Sequence, residues 1–157
     1  MSTGPPLTDA PSAEVTRHIR DCCLCLRAHR AARSLARHFD RAFGPLGLTN
    51  GQFSLMMSLN RPRAPNMRTV AALLAMDRTT LTAALKPLER RGWVTSSPDP
   101  DDRRSRLVAL TPAGRALLAR AVAVWDATHA LIERSLPRPD RSRLRELLDK
   151  LAERPGP

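Results

Sequence analysis

The sequence has no tyrosine, only three phenylalanines and two tryptophans, and just two lysines, Lys86 and Lys150, among its 26 basic residues. Nowhere do as many as about 18 consecutive apolar residues occur, which excludes a membrane-spanning helix. The first residues, MSTGPPLTDAPSAE, lack a basic stretch followed by an apolar run, so no export signal is expected. Cysteine is scarce and crowded: Cys22, Cys23 and Cys25 lie within four positions, too close for the spaced framework of a secreted disulfide scaffold. A soluble protein of the reducing cytoplasm is expected. There is no Gly-rich phosphate loop and no pair of carboxylates placed to work together, so catalysis is rejected and no cofactor is expected.

What is present in excess is positive charge. Lys plus Arg is 26 against 15 acidic residues, a formal net charge of +11, with an isoelectric point near 11.4. Such a surface suits a polyanion. Nearly all of that charge is arginine, a bias that a GC-rich genome produces as readily as selection for phosphate recognition. With 157 residues and 42% hydrophobic residues, the chain is long enough to bury a core of one domain.

The hydrophobic pattern divides the chain into four parts. Residues 1–13, rich in Pro, Ser, Thr and Gly, read as a flexible tail. Residues 14–45 read as one helix of about 30 residues, with Val15, Ile19, Cys22 and Leu26 and then Ala28, Ala32, Leu35, Phe39 and Phe43 on a drifting stripe. So long a stripe invites pairing with a second copy of the chain. Within 46–111, Thr49 and Gln52 form a capping box ahead of an apolar face of Phe53, Met56, Met57 and Leu59. Thr69 is the expected cap of a short helix carrying Val70, Leu73 and Leu74, and Asp77 caps the next, whose core stripe is Leu81, Leu85 and Leu88. Two short helices with a tight turn between them, the second showing a polar face, describe a helix-turn-helix. Gly92 then stops the helix, and a β-hairpin with a charged tip follows it as a wing. Residues 112–154 hold two further amphipathic helices, the first opened by Thr111 as cap and Pro112.

Pro87 lies inside the second helix of the helix-turn-helix, where a missing N–H and a clash with the Ala83 carbonyl cost about 3 kcal/mol in a straight helix. A kink is expected there.

These residues resemble the MarR-type (multiple antibiotic resistance regulator) winged helix transcription factors. The resemblance is carried by Leu48-Thr49-Asn50-Gly51-Gln52-Phe53, by the run from Val70 to Thr82, by Leu88-Glu89-Arg90-Arg91-Gly92-Trp93-Val94, and above all by Asp99-Pro100-Asp101-Asp102-Arg103-Arg104-Ser105-Arg106 with the following Leu107 to Gly114. It covers residues 46–118. It implies a mainly α fold with a small β-wing, long N- and C-terminal dimerisation helices, and a homodimer that sets two recognition helices in successive major grooves of a pseudo-palindromic double-stranded operator. It also implies an effector-responsive regulator, expected to be a repressor, and a pairing of Asp77 with Arg104 that orients the wing, beside Asp102. The alternative is a non-specific basic nucleic-acid-binding structural protein, for which the net charge would suffice.

On the residues themselves, Arg68, Thr69, Arg78, Thr79, Thr80, Thr82 and Lys86 are the candidate contacts of the helix-turn-helix, and Arg103, Arg104 and Arg106 those of the wing. Hydroxyls and a guanidinium suit base edges, and arginines suit a narrow, strongly negative minor groove.

The first helix poses the question of the signal. His18, Cys22, Cys25 and His29, spaced 4, 3 and 4, fall within about 60° of one face of a continuous helix, with His18 and His29 about 16 Å apart along it. Three uses stay open beside the plain one, in which cysteines are small buried hydrophobes. They are a thiol switch centred on Cys22, near the reactive Cys of the family's hydroperoxide-sensing branch; a soft-metal site drawing on His18, Cys22, Cys25 and His29, in which Cys22 and Cys25 share an ion, all four cannot reach it, and His129 or a residue of a second copy completes it; and spectator cysteines, with a small lipophilic effector held among Phe39, Phe53, Met57 and Trp125. The peroxide-sensing branch relies on tyrosines, which this chain lacks.

Overall fold

The computed structural model describes residues 10–102 and 105–153. Its elements in chain order are α1 (Ala13–Cys22), α2 (Leu24–Phe43), a 3-10 turn (Gly44–Leu46), α3 (Asn50–Leu59), α4 (Met67–Leu73), α5 (Arg78–Arg90), β1 (Val94–Pro98), β2 (Arg106–Leu110), α6 (Pro112–Arg134) and α7 (Arg138–Ala152). The described residues fall into two compact units that divide between Ala36 and Arg37.

In the first unit the single helix expected over 14–45 is divided at Cys23. The Ser12 side chain accepts the Val15 N–H and starts α1. At Cys23 the backbone turns extended (φ −70°, ψ 107°), its N–H still donating to the Ile19 carbonyl at 2.8 Å. The Cys23 sulfur then accepts the Leu26 N–H at 3.4 Å, so the thiol sits where a serine or aspartate cap would open the next helix. Periodicity could not reveal this joint, because the apolar spacing continues across it. Arg20 grips Asp21 through two hydrogen bonds, 2.7 and 3.0 Å, and Arg27 donates to the Asp21 carbonyl. No residue of α1 is buried.

The second unit is a winged helix. Its core gathers the end of α2, α3, α4, α5, the two strands and the start of α6, with Phe43, Leu55, Met56, Val70, Leu81, Leu88 and Val108 fully enclosed. Phe43 lies between Phe39 and Phe53, ring centroids 5.8 and 4.7 Å away. The capping box of Thr49 and Gln52 forms as expected. On α3, however, Met57 is exposed and Leu55 is buried, because the helix is covered on a broader face than one stripe.

Asn66, not Thr69, caps α4: its side chain accepts both the Thr69 N–H and the Thr69 hydroxyl. Asn66 also bridges to Leu107 in the hairpin, and the preceding Pro65 carbonyl accepts the Val108 N–H. Between α4 and α5 the turn closes with Met76 N–H to the Ala71 carbonyl and Ala75 N–H to the Ala72 carbonyl, leaving Ala75 at φ 51°. This is the glycine position of such a helix stop, filled here by a residue with a Cβ. Asp77 caps α5 as expected, and α5 continues through Pro87 to Arg90.

Strands β1 and β2 pair antiparallel, Val94 opposite Leu110 and Pro98 opposite Arg106. At their base, the N–H groups of Gly92 and Trp93 return to the Glu89 and Leu88 carbonyls, with Gly92 at φ 68°. The Thr111 hydroxyl donates to the Gly92 carbonyl (2.6 Å) and accepts the Gly114 N–H (3.0 Å), while Thr111 N–H donates to the Trp93 carbonyl. Helix α7 buries no residue, and Leu144, Leu147, Leu148 and Leu151 stand 41–59% exposed. It is held to α6 by Arg145, which donates to Glu133 at 2.7 Å.

Gly114 is buried, and a Cβ there would strike the Trp93 carbonyl. Alanine normally stabilises an open helix position by about 1 kcal/mol over glycine. Gly114→Ala is expected to reverse that sign and cost about 1–3 kcal/mol, read as a lowered midpoint in a thermal melt.

Candidate nucleic-acid interface

The polar face of α5 is set by its buried one. Leu81, Leu85 and Leu88 lock into the core, which leaves Arg78, Thr79, Thr80, Thr82 and Lys86 exposed along the other side. Arg68 and Thr69 are exposed on α4. All seven candidates of the helix-turn-helix therefore sit on solvent-facing positions.

Their hydroxyls are not all equally free. Thr80 spends its proton on Asp77 (2.6 Å) and Thr82 donates to the Arg78 carbonyl (2.7 Å), so toward a base edge each offers a lone pair. The Asp77 carboxylate accepts the Thr80 hydroxyl and the Thr80 N–H together, and this holds its pKa below the usual carboxylate range. Asp77 is thus first the start of the recognition helix. Its expected partner Arg104, and Arg103 beside it, lie outside the described residues.

The wing and the helix enclose two hollows. One of about 570 Å³ is lined by Met67, Arg68, Ala71, Arg78, Asp102 and Ser105, and one of about 380 Å³ by Met67, Arg78, Thr82, Leu85, Lys86, Glu89, Ser96 and Arg106. Arg78 lines both, in the seam between helix and wing. Asp99 opens the turn at the wing tip: its side chain accepts the Asp101 N–H, and its own N–H donates to the Ser105 carbonyl. Arg106 reaches across the hairpin, Nε to the Ser96 hydroxyl at 2.6 Å and Nη2 to the Ser96 carbonyl at 2.8 Å. The structure thereby gives Arg106 a role in bracing the wing. Asn66 and Ser96 were not singled out from the sequence; Asn66 had a legible signal, a capping residue three positions before Thr69.

Of the signal candidates, Phe39 and Phe53 fill the core through Phe43, Met57 is exposed, and Trp125 stacks on His129 at 4.4 Å. In the single chain Cys22 and Cys25 are exposed and Cys23 is half-buried. His18 pairs with Cys22 and His29 with Cys25, and among the described residues no three metal-binding side chains converge.

The MarR family model matches residues 48–105. The transcriptional regulator PecS of Dickeya dadantii is 30% identical over 129 residues, covering 78% of this chain and 75% of PecS. The chain belongs to the MarR family. The activatory protein BadR of Rhodopseudomonas palustris is 38% identical over 95 residues, 59% of this chain, and the match spans about half, 54%, of BadR's length. The M. tuberculosis regulator MOSR, solved in complex with DNA, superposes with a TM-score of 0.74 at 36% identity, covering 83% of this chain and 96% of MOSR. MarR family members are transcription regulators and not enzymes, in keeping with the rejection of catalysis from the sequence. The chain is accordingly a DNA-binding transcriptional regulator. Among the described residues no helix is long and apolar enough to cross a membrane.

Because Asp77 has a lowered pKa in the folded chain, its contribution is present at and above about pH 4, the unfolded carboxylate value, and is lost as pH falls through the folded one. Asp77→Ala is expected to lower the melting temperature at neutral pH, with the difference from wild type closing in acid. Parallel melts from pH 7 to pH 3 check it.

Proposed function

We propose that this MarR-family chain acts as a homodimer that occupies a pseudo-palindromic operator, with one α5 in each of two successive major grooves and the wings over the flanking minor grooves. The observation that carries the reading is the first turn of α5: Arg78, Thr79 and Thr80 stand exposed at a helix N-terminus that is fixed by the Asp77 cap and buttressed by a buried leucine stripe. A rigid polar helix end of that kind is what base readout requires. MOSR, of the same fold and 36% identical, was solved on DNA.

The dimer is supported by the exposed apolar stripes: Val15 and Ile19 on α1, and Leu144, Leu147, Leu148 and Leu151 on α7. Apolar faces of that extent mark association surfaces. The contacts proposed for the α4–α5 pair are Arg68, Thr69, Arg78, Thr79, Thr80, Thr82 and Lys86. Those proposed for the wing are Arg103 and Arg104 at the tip, with Arg106, Asp77 and Asp102 holding its angle. Occupation of an operator that overlaps a promoter represses, and release by an effector restores transcription; a lipophilic compound, a thiol oxidant acting at Cys22, Cys23 or Cys25, or a soft metal are the signals this chain's residues suit.

The net charge of +11 also favours the second reading, a sequence-indifferent basic protein. Fluorescence anisotropy on the chain's own upstream intergenic DNA and on a random duplex, across a salt series, separates the two. The regulator is expected to lose affinity with salt on both duplexes yet keep a specificity ratio of about 10³ or more. Arg78→Ala is expected to weaken operator binding by about 5- to 150-fold, equivalent to about 1–3 kcal/mol, with a much smaller effect on random DNA. Equal affinity for the two duplexes contradicts the reading.

A further inference from the structure

The first unit carries two copies of one geometry. Cys22 Sγ lies 3.7 Å from His18 Nδ1, and Cys25 Sγ lies 3.8 Å from His29 Nδ1. Each pair is a Cys and a His four positions apart on one helix, and all four side chains are exposed. A tetrahedral Zn²⁺ bound at about 2.3 Å to sulfur and about 2.0–2.1 Å to nitrogen, with an angle of about 109°, holds those two donors about 3.5 Å apart. The pairs already stand close to that bite. Each would close on an ion by side-chain rotation, with no change in its helix.

Cys23, between them, is not a donor of this kind. Its sulfur accepts the Leu26 N–H and its backbone makes the joint between α1 and α2. The joint also gives the pairs their order: His18 and His29 lie outermost and Cys22 and Cys25 innermost, so the donors read the same in both directions about Cys23–Leu24. Two antiparallel copies crossing at that joint would set the first pair of each against the second pair of the other.

We propose that His18–Cys22 and Cys25–His29 are bidentate half-sites for a thiolate- and imidazole-seeking cation of the Zn²⁺ class, each completed to two sulfurs and two nitrogens by a pair from a second copy of the chain. One chain supplies only two donors at a time, since no three converge among its described residues. Binding takes one Zn²⁺, two thiols and two neutral imidazoles to an uncharged complex and releases two protons. An uncharged product suits a segment as basic as Arg17, Arg20, Arg27 and Arg30 make this one, where a site of net positive charge would be repelled. The inference rests on the dimer proposed above and adds to it a metal that links the two copies.

The test uses the reduced, metal-free full chain, titrated with Co²⁺ as the spectroscopic probe and then with Zn²⁺, with the mass in solution followed by sedimentation equilibrium. The expected result is one Co²⁺ per chain with tetrahedral d–d and thiolate charge-transfer bands, displaced by Zn²⁺, with about two protons released per ion. Cys23→Ser retains the bands, and Cys22→Ser and Cys25→Ser, each of which leaves one thiolate in every site, each show markedly weakened charge-transfer intensity while keeping the wild-type circular dichroism. An octahedral cobalt spectrum, or bands unchanged in Cys22→Ser, overturns the site. A chain that sediments as a dimer and binds no cobalt overturns the metal site alone; a monomer that binds none overturns the dimer with it.

Discussion

The winged helix hangs on one hydroxyl. Thr111 ends the wing and begins α6, and its side chain donates to the Gly92 carbonyl while accepting the Gly114 N–H; its backbone N–H takes the neighbouring Trp93 carbonyl. Gly92 and Trp93 are where α5 stops and the wing begins, so the strand that leaves the recognition helix and the strand that returns are tied at a single point. Gly114 has no Cβ because the Trp93 carbonyl occupies that space. The angle between α5, the wing and α6 is therefore fixed by one side-chain hydroxyl and the backbone groups it joins. A wing held at its base and bridged to Asn66 at its side can carry charge at its tip without a core of its own.

The arginine excess has two uses. Several arginines serve as long donors that satisfy backbone carbonyls: Arg61 at Ser58, Arg91 at Gly47, Arg115 at Leu110 and Arg141 at Leu136, with Arg106 clasping Ser96 across the hairpin. Arg91 also lies over the Trp93 ring, 4.8 Å from its centroid. These guanidiniums keep their charge and add to the positive field, yet their geometry is committed to the fold. Arg68 on α4 and Arg78 and Lys86 on α5 stand exposed on the face proposed to meet a duplex. Net charge describes the attraction to a polyanion; the proposed contacts say where it would act.

Much of this was legible in the sequence because the signals were local. The capping box of Thr49 and Gln52, Asp77 and its leucine stripe, Gly92, and Thr111 with Pro112 each act within one turn of helix, and each formed where expected. What the sequence hid was non-local or competed with a stronger pattern. The break at Cys23 lies under an unbroken apolar periodicity, and a thiol is an uncommon cap. Asn66 outcompetes Thr69 because its neighbour Pro65 is held against Val108, a contact 43 residues away in sequence. The sequence places the Thr80 and Thr82 hydroxyls on a polar face, and only their distances to Asp77 and the Arg78 carbonyl show the protons committed. Phe39 and Phe53, candidates for an effector pocket, belong to the core because Phe43 stacks between them.

If α5 and the wing act as proposed, the two copies of the chain read one DNA site as a symmetric pair. Hydroxyl-radical footprinting on the chain's own upstream intergenic DNA shows whether they do. Two protected blocks related by two-fold symmetry are expected, their centres about one helical turn, 10–10.5 base pairs, or a multiple of it apart, with flanking minor-groove protection from the wings. Protection spread evenly along the duplex, the same on a random sequence of equal length, would contradict it.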